Sequence, residues 1–302
     1  MQITIRLTGV IPALITPLSA QGKLDLALLE KQVAYLSAAG VHGFFVNGTT
    51  GEGPCLSLAE KLAVFESVKA VTQGRQFLCA ACLQASTAQV IQEMRAFAAL
   101  APDFIVAVPP YYYAASQAEI VCHYREIARE SPAPLILYTI PSCTHNPIAL
   151  ESVLELATVE NIVGLKDSSG DFIPFLRGVY TDLHRDFAWI QGEDYLDGPS
   201  LLIGASGIVT GLGNVWIEPY LELYRAAQQG DAAGVHVAQK RINALYQMLH
   251  INGGHSVAVI KAAVALLGRS TPWMKMAALT VPEAEQAKIE AVLQELGLLA
   301  QT

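Results

Sequence analysis

Lys166 is a lone ammonium at the end of the short apolar run Ile162-Val163-Gly164-Leu165. Such a run, bounded by a polar turn, reads as a buried strand. The residues that follow, Asp167-Ser168-Ser169-Gly170-Asp171, form the kind of turn that leads from a strand toward a helix. Lys166 is therefore expected at the C-terminal mouth of a strand, where α/β barrels keep their reactive groups. Desolvation favours a neutral amine, and a neutral lysine attacks a ketone to form a Schiff base. Alone, the residue also fits a lysine that snorkels to the surface or pairs with Asp167 or Asp171.

Three further constellations bear on that choice. Asn47-Gly48-Thr49-Thr50-Gly51-Glu52 follows an apolar segment directly; its glycines allow a tight turn with exposed N–H groups, and its threonines add hydroxyl donors, a combination suited to holding a carboxylate. An ordinary strand-to-helix turn has the same composition. Tyr138 ends the segment Leu135-Ile136-Leu137-Tyr138, on the face of Ile136, within reach of a lysine on the next strand. It could move protons during imine formation, or simply pack at a barrel rim. Pro109-Pro110-Tyr111-Tyr112-Tyr113 places three aromatics in a loop, where they are expected to pack against another surface.

The elements that position these residues follow from the alternation of short apolar runs with helix-length stretches. Strands are expected at Val10 to Thr16, Gly43 to Asn47, Phe77 to Cys82, Phe104 to Val108, Leu135 to Tyr138, Ile162 to Lys166, Phe187 to Gln191 and Gly204 to Val209. Eight strand-helix units in about 220 residues predict a parallel, closed (β/α)8 TIM barrel with a C-terminal helical extension. An open doubly wound sheet is the alternative, but no G-x-G-x-x-G follows the first strand and no Walker motif is present. Ser57-x-x-Glu60 and Thr280-x-x-Glu283 read as capping boxes. After the barrel, residues 1–225, the segments Trp216 to Gln229, Ala232 to His250 and Ser256 to Leu267 read as helices, and Ile289, Val292, Leu293 and Leu296 form one apolar face. With no low-complexity linker, residues 226–302 are expected to pack on the barrel.

Composition narrows the partners. The 302 residues are 52% hydrophobic and only 15% charged, which calls for a large core, a subunit interface or both. A net charge of −8 without a basic run argues against nucleic acid or anionic lipid. The apolar stretch Leu7 to Leu18 resembles a leader, but Pro12 and Pro17 break any helix through it; it is too short to span a bilayer, so a cytoplasmic protein is expected. Cys55, Cys79, Cys82, Cys122 and Cys143 form no disulfide framework. Cys79-x-x-Cys82 lies in an expected strand without a second ligand pair, so it reads as two small core residues; no histidine-carboxylate spacing suggests a metal site either.

Taken in order, Gly48-Thr49-Thr50-Gly51-Glu52, Pro110-Tyr111-Tyr112, Tyr138 with Pro141-Ser142, Gly164-Leu165-Lys166-Asp167 and Gly204-Ala205-Ser206-Gly207-Ile208-Val209 resemble the dihydrodipicolinate synthase and N-acetylneuraminate lyase family over nearly the whole chain. The resemblance implies a Schiff-base barrel enzyme acting on pyruvate or its aldol adducts with no metal or organic cofactor. It implies that Lys166 forms the imine, that Thr49 and Thr50 with Gly48 hold the carboxylate, and that Tyr138 moves protons. It further implies that Thr49 relays them toward Tyr112 across a subunit interface, that Val209 walls the ketoacid site, and that the protein is a homotetramer arranged as a dimer of dimers. The synthase branch has an arginine just after the Pro-Ser pair to clamp a second carboxylate, and this chain has Cys143 there. Thr139, Thr144, His145, Ser168, Ser169, Glu193 and Asp194 are expected in the same mouth, groups suited to hydroxyls. The expected partners are therefore pyruvate and a small aldehyde, joined in a 2-keto-3-deoxy sugar acid. A dehydratase or hydratase-aldolase using the same imine, a dihydrodipicolinate synthase-like activity and a non-catalytic ligand-binding barrel are the alternatives.

Overall fold

The computed structural model describes residues 6–183 and 186–300. Eight strands, β1 (Gly9–Pro12), β2 (Gly43–Val46), β3 (Phe77–Cys82), β4 (Phe104–Ala107), β5 (Leu135–Thr139), β6 (Ile162–Asp167), β7 (Ala188–Gln191) and β8 (Gly207–Thr210), pair in parallel in the order β1-β8-β7-β6-β5-β4-β3-β2. The barrel closes between β1 and β2, where Leu14 N–H donates to the Phe45 carbonyl (3.0 Å) and His42 N–H to the Val10 carbonyl (3.0 Å). All eight segments lie where the sequence places them, β3 with the expected bounds and the other seven with shifted ends. The β1 ladder thins at Pro12, which has no N–H to donate, and β8 starts late because Gly204 turns the chain at φ 104°.

The strands are apolar on both faces because both are covered. One set of side chains, among them Ile11, Phe45, Cys79, Val106, Ile136, Tyr138, Ile190 and Val209, fills the barrel interior. The alternate set, among them Val10, Phe44, Val46, Ile105, Leu137 and Ile208, packs under the helices. Three residues apart on one strand, Cys79 faces the interior and Cys82 the helix layer, so they cannot pair; both are buried free thiols.

The surrounding helices are α1 (Leu26–Ala39), α2 (Leu58–Thr72), α3 (Thr87–Phe97), α4 (Gln117–Glu130), α5 (Pro141–Thr144), α6 (Leu150–Leu156), α7 (Phe172–Val179), α8 (Asp197–Leu202) and α9 (Glu218–Gln228). Ser57 and Glu60 form the expected capping box of α2; Ser116 and Glu119 form another on α4, with the same S-x-x-E signal. Beyond β8 lie α10 (Ala232–Tyr246), α11 (Ser256–Leu266) and α12 (Glu283–Glu295). The expected division near residue 225 falls inside α9, which packs on both β1 and α10. On α12, Ile289 and Leu293 are buried, with Val292 and Leu296 packed beside them. Its expected capping box does not form: the chain is still extended at Pro282, and Thr280 Oγ1 accepts instead from Met274 N–H (3.2 Å).

Candidate active site

Lys166 reaches the barrel interior because β6 is irregular. Ile162 and Leu165, three residues apart, both pack on the outer side, which regular alternation forbids. The register explains it: Leu135 pairs with Ile162 but Ile136 with Gly164, leaving Val163 as an extra residue. Beyond this bulge Lys166 lies opposite Tyr138 and turns inward. Its Nζ sits 4.0 Å from the centroid of the Tyr138 ring and 4.3 Å from that of Phe45, and the residue is only 5% exposed. Among the described residues it has no ion pair. The two carboxylates that could have neutralised it point elsewhere. Asp167 accepts the Ser169 N–H (2.7 Å) and is pushed above its ordinary range by burial, while Asp171 caps α7.

The Asn47–Glu52 loop crosses the mouth next to this lysine. Thr49 Oγ1 and the Tyr138 hydroxyl are 3.4 Å apart, joining the loop to the group beneath it. Thr50 Oγ1 lies 3.2 Å from where a Cβ on Gly211 would stand, so it faces the end of β8, whose Val209 lines the interior. At Gly48 a Cβ would fall 2.6 Å from the Phe45 ring, so only glycine lets the loop close over that ring. The backbone N–H groups of Thr49, Thr50 and Gly51 find no backbone acceptor among the described residues, whereas those of Glu52 and Gly53 turn inward. That is a donor set fitted to a carboxylate.

This loop is anchored from three sides. Thr16 Oγ1 donates to the Gly51 carbonyl (2.7 Å), and Asn47 Nδ2 to the Lys61 carbonyl (3.0 Å). Glu52, in the left-handed region at φ 55°, accepts from Lys261 Nζ of α11 (2.6 Å) and from Lys275 N–H (2.7 Å). Lys261 is a second lone lysine in an apolar run, the signal that singles out Lys166, yet it is fully buried and paired. Nothing local in the sequence links it to Glu52, 209 positions away.

Gly192, just after β7, carries no signal in the sequence that marks it as part of the site. A Cβ there would lie 2.3 Å from Ser168 Oγ and 3.0 Å from Lys166 Cε. Ser168 Oγ donates to the Gly192 carbonyl (3.1 Å), so Ser168 is the hydroxyl that stays beside the lysine. Several of the groups expected in the mouth are committed elsewhere. Thr139 Oγ1 accepts from Ile148 N–H (3.3 Å), Thr144 Oγ1 donates to the Ile140 carbonyl (3.1 Å), and Ser169 Oγ accepts from Asp171 N–H (3.1 Å). Asp194 accepts from Thr210 Oγ1 and the Tyr220 hydroxyl, both at 2.6 Å, and burial raises its carboxyl to about 6. Polar groups with unmet hydrogen bonds are drawn inward to partners, which composition cannot show. Cys143 and His145 are exposed on the rim, His145 in the left-handed region at φ 58°.

The tyrosine loop divides. Three aromatics are expected to pack against another surface, but Tyr111 is half-buried against the interior cluster of its own barrel, with its hydroxyl donating to the Leu83 carbonyl (3.4 Å). Tyr112 and Tyr113 are 84% and 79% exposed, packed edge to face on each other. Tyr112 is held in the left-handed region at φ 85°. Among the described residues, no group of three or more His, Cys, Asp or Glu side chains is placed to hold a metal ion, and no helix is long and apolar enough to cross a membrane.

Comparison with known proteins places this geometry. The sequence pattern of the dihydrodipicolinate synthetase family matches residues 6–296. The chain belongs to that family. It is 35% identical to a 4-hydroxy-tetrahydrodipicolinate synthase of Corynebacterium aurimucosum over 288 residues, covering 94% of this chain and 92% of the relative. Among solved structures it resembles YagE of Escherichia coli in complex with pyruvate, with a TM-score of 0.91 at 26% identity, covering 97% of this chain and 99% of that one. It also resembles a chloride-inhibited dihydrodipicolinate synthase of Acinetobacter baumannii complexed with pyruvate, with a TM-score of 0.92 at 26% identity, covering 97% and 100%. The protein is accordingly an enzyme, a pyruvate-dependent carbon–carbon lyase of the class I aldolase type.

Proposed function

We propose that Lys166 forms an imine with the ketone of pyruvate, and that the enzyme makes or breaks the bond between the pyruvate methyl carbon and an aldehyde, with a 2-keto-3-deoxy sugar acid as adduct. The observation that carries this is a buried lysine held between the faces of Phe45 and Tyr138 with no ion pair among the described residues, beneath a hydroxyl bridge from Tyr138 to Thr49. In the cleavage direction the Lys166 nitrogen attacks the ketone carbon, the carbonyl oxygen takes up protons, and water leaves. The protonated imine then accepts the electron pair of the breaking carbon–carbon bond as the adduct's hydroxyl loses its proton and the aldehyde departs. Protonation of the resulting enamine and hydrolysis release pyruvate. Tyr138 carries the protons, passing them through Thr49 to Tyr112 of a neighbouring chain. The N–H groups and hydroxyls of Gly48, Thr49 and Thr50 hold the carboxylate, with Val209 as wall; Ser168, Cys143 and His145 meet the distal part of the substrate.

Cys143 favours the sugar acid, because the turn Pro141-Ser142-Cys143-Thr144-His145-Asn146 has no arginine or lysine for a second carboxylate. The name of the Corynebacterium relative supports the second reading, dihydrodipicolinate synthase-like condensation. Residues 1–225 are taken as the barrel and 226–302 as the helical region packed on it, in a cytoplasmic homotetramer built as a dimer of dimers. Tyr112 and Tyr113 expose one apolar pair, and Ile173 of α7, Tyr180 just after that helix and Leu202 of α8 are further exposed apolar side chains.

Three measurements test this. Pyruvate with borohydride adds one pyruvyl unit to Lys166 by mass spectrometry, and Tyr138→Phe slows exchange of the pyruvate methyl protons in D2O about a hundredfold without loss of trapping. An unlabelled Lys166 refutes the imine. A panel of polyhydroxy aldehydes against an amino- and carboxylate-bearing aldehyde then decides the substrate, and reaction with the latter alone refutes the sugar acid.

A further inference from the structure

The backbone of residues 110–115 makes no backbone hydrogen bond among the described residues, although this segment presents Tyr112 at φ 85°. A loop so placed needs its partners from elsewhere. One side chain supplies them. Asn146, from the turn after β5, donates from Nδ2 to the Pro110 carbonyl (2.8 Å) and to the Tyr113 carbonyl (2.8 Å), and its Oδ1 accepts the Ala115 N–H (3.1 Å). Both amide hydrogens and the carbonyl oxygen are thus engaged on the two sides of Tyr112. The amide is 6% exposed, so these bonds are made away from water. Tyr111, whose hydroxyl meets the Leu83 carbonyl, fixes the start of the loop on the mouth of its own barrel.

We infer that Asn146 is a positioning residue: it holds the 110–115 backbone in the strained conformation that projects the Tyr112 hydroxyl outward for the neighbouring subunit's site. This rests on the proposed role of Tyr112. An unsupported loop would relax from positive φ at Tyr112, which costs a bulky residue energy, and the hydroxyl would swing away from its target. Asn146 follows the rim residues Cys143 and His145 on the same turn, so one segment lines the rim and sets the proton path of the adjoining subunit.

The test is a double-mutant cycle read by exchange of pyruvate methyl protons with D2O, which needs the imine and the proton path but no aldehyde. Asn146→Ala is expected to slow exchange about 10- to 100-fold, since misplacing a reacting group by about 1 Å has that effect. In a Tyr112→Phe background the same change should cost less than about twofold, because both substitutions interrupt one path. Borohydride trapping of pyruvate at Lys166 should persist in all variants. Asn146→Leu, which keeps the volume, and Asn146→Asp, which keeps only the bond from Ala115, should match Asn146→Ala if that variant folds poorly. Unchanged exchange in the Asn146 variants, effects that multiply with Tyr112→Phe, or trapping lost in parallel with exchange would each overturn the inference while leaving Tyr112 in its role. Normal exchange in Tyr112→Phe alone would instead refute that role, and the inference with it.

Discussion

Replacing Lys261 by methionine should unfold the link between the C-terminal helices and the carboxylate-binding loop. Lys261 is fully buried on α11, and its Nζ donates to Glu52 Oε1 at 2.6 Å; the other oxygen of Glu52 accepts Lys275 N–H. Burial lowers the Lys261 ammonium from its ordinary range, and Glu52 opposes that shift, so each charge depends on the other. Removing one partner strands a buried charge, which typically costs about 3–5 kcal/mol, whereas replacing both with neutral groups is often close to neutral. Urea denaturation of Lys261→Met should therefore show a loss in that range, and Glu52→Gln combined with Lys261→Met should recover most of it. Because Glu52 ends the loop of Thr49 and Thr50, the single variant should also raise the KM for pyruvate. A loss below about 1 kcal/mol, or a double variant as unstable as the sum of the singles, would refute the coupling.

Two other perturbations probe the site and its support. Gly192→Ala should lower turnover about tenfold, because the new Cβ displaces Ser168 Oγ and presses on Lys166 Cε at 3.0 Å, and overpacking of this kind costs roughly 1–3 kcal/mol; wild-type kcat would show that the approach is slack. Asp194 titrates near 6 in the fold against an ordinary 3.8, so the folded protein holds this proton more tightly and the group's contribution is full below about pH 4 and lost as pH rises through about 6. A gap of about 2 pH units corresponds to about 3 kcal/mol, so the stability of wild type relative to Asp194→Asn should fall by up to that amount between pH 4 and 7, and a pH-independent difference by chemical denaturation would refute the assignment.

Much of this architecture is carried by local pattern. Eight apolar runs spaced by helical lengths specify a closed parallel barrel because each strand must bury both faces, and the S-x-x-E start of α2 forms as its residues dictate. The same local signal fails before α12, where an extended Pro282 leaves Thr280 to bond Met274. The ordered motifs likewise make Lys166, Tyr138 and Thr49 legible as one group, and they do meet.

What the chain alone leaves open is which way each charge faces. Lys61, Lys166 and Lys261 are all buried; Glu93 neutralises the first and Glu52 the third, over 32 and 209 positions. Lys166 finds aromatic faces instead, and it does so through one extra residue. Regular alternation from the outward Ile162 would turn Lys166 outward as well, since four residues along a strand restore the same face. The bulge at Val163 reverses that parity, and whether a strand bulges is decided by its neighbours, here the pairing of Ile136 with Gly164, because register is a property of two strands and not of one.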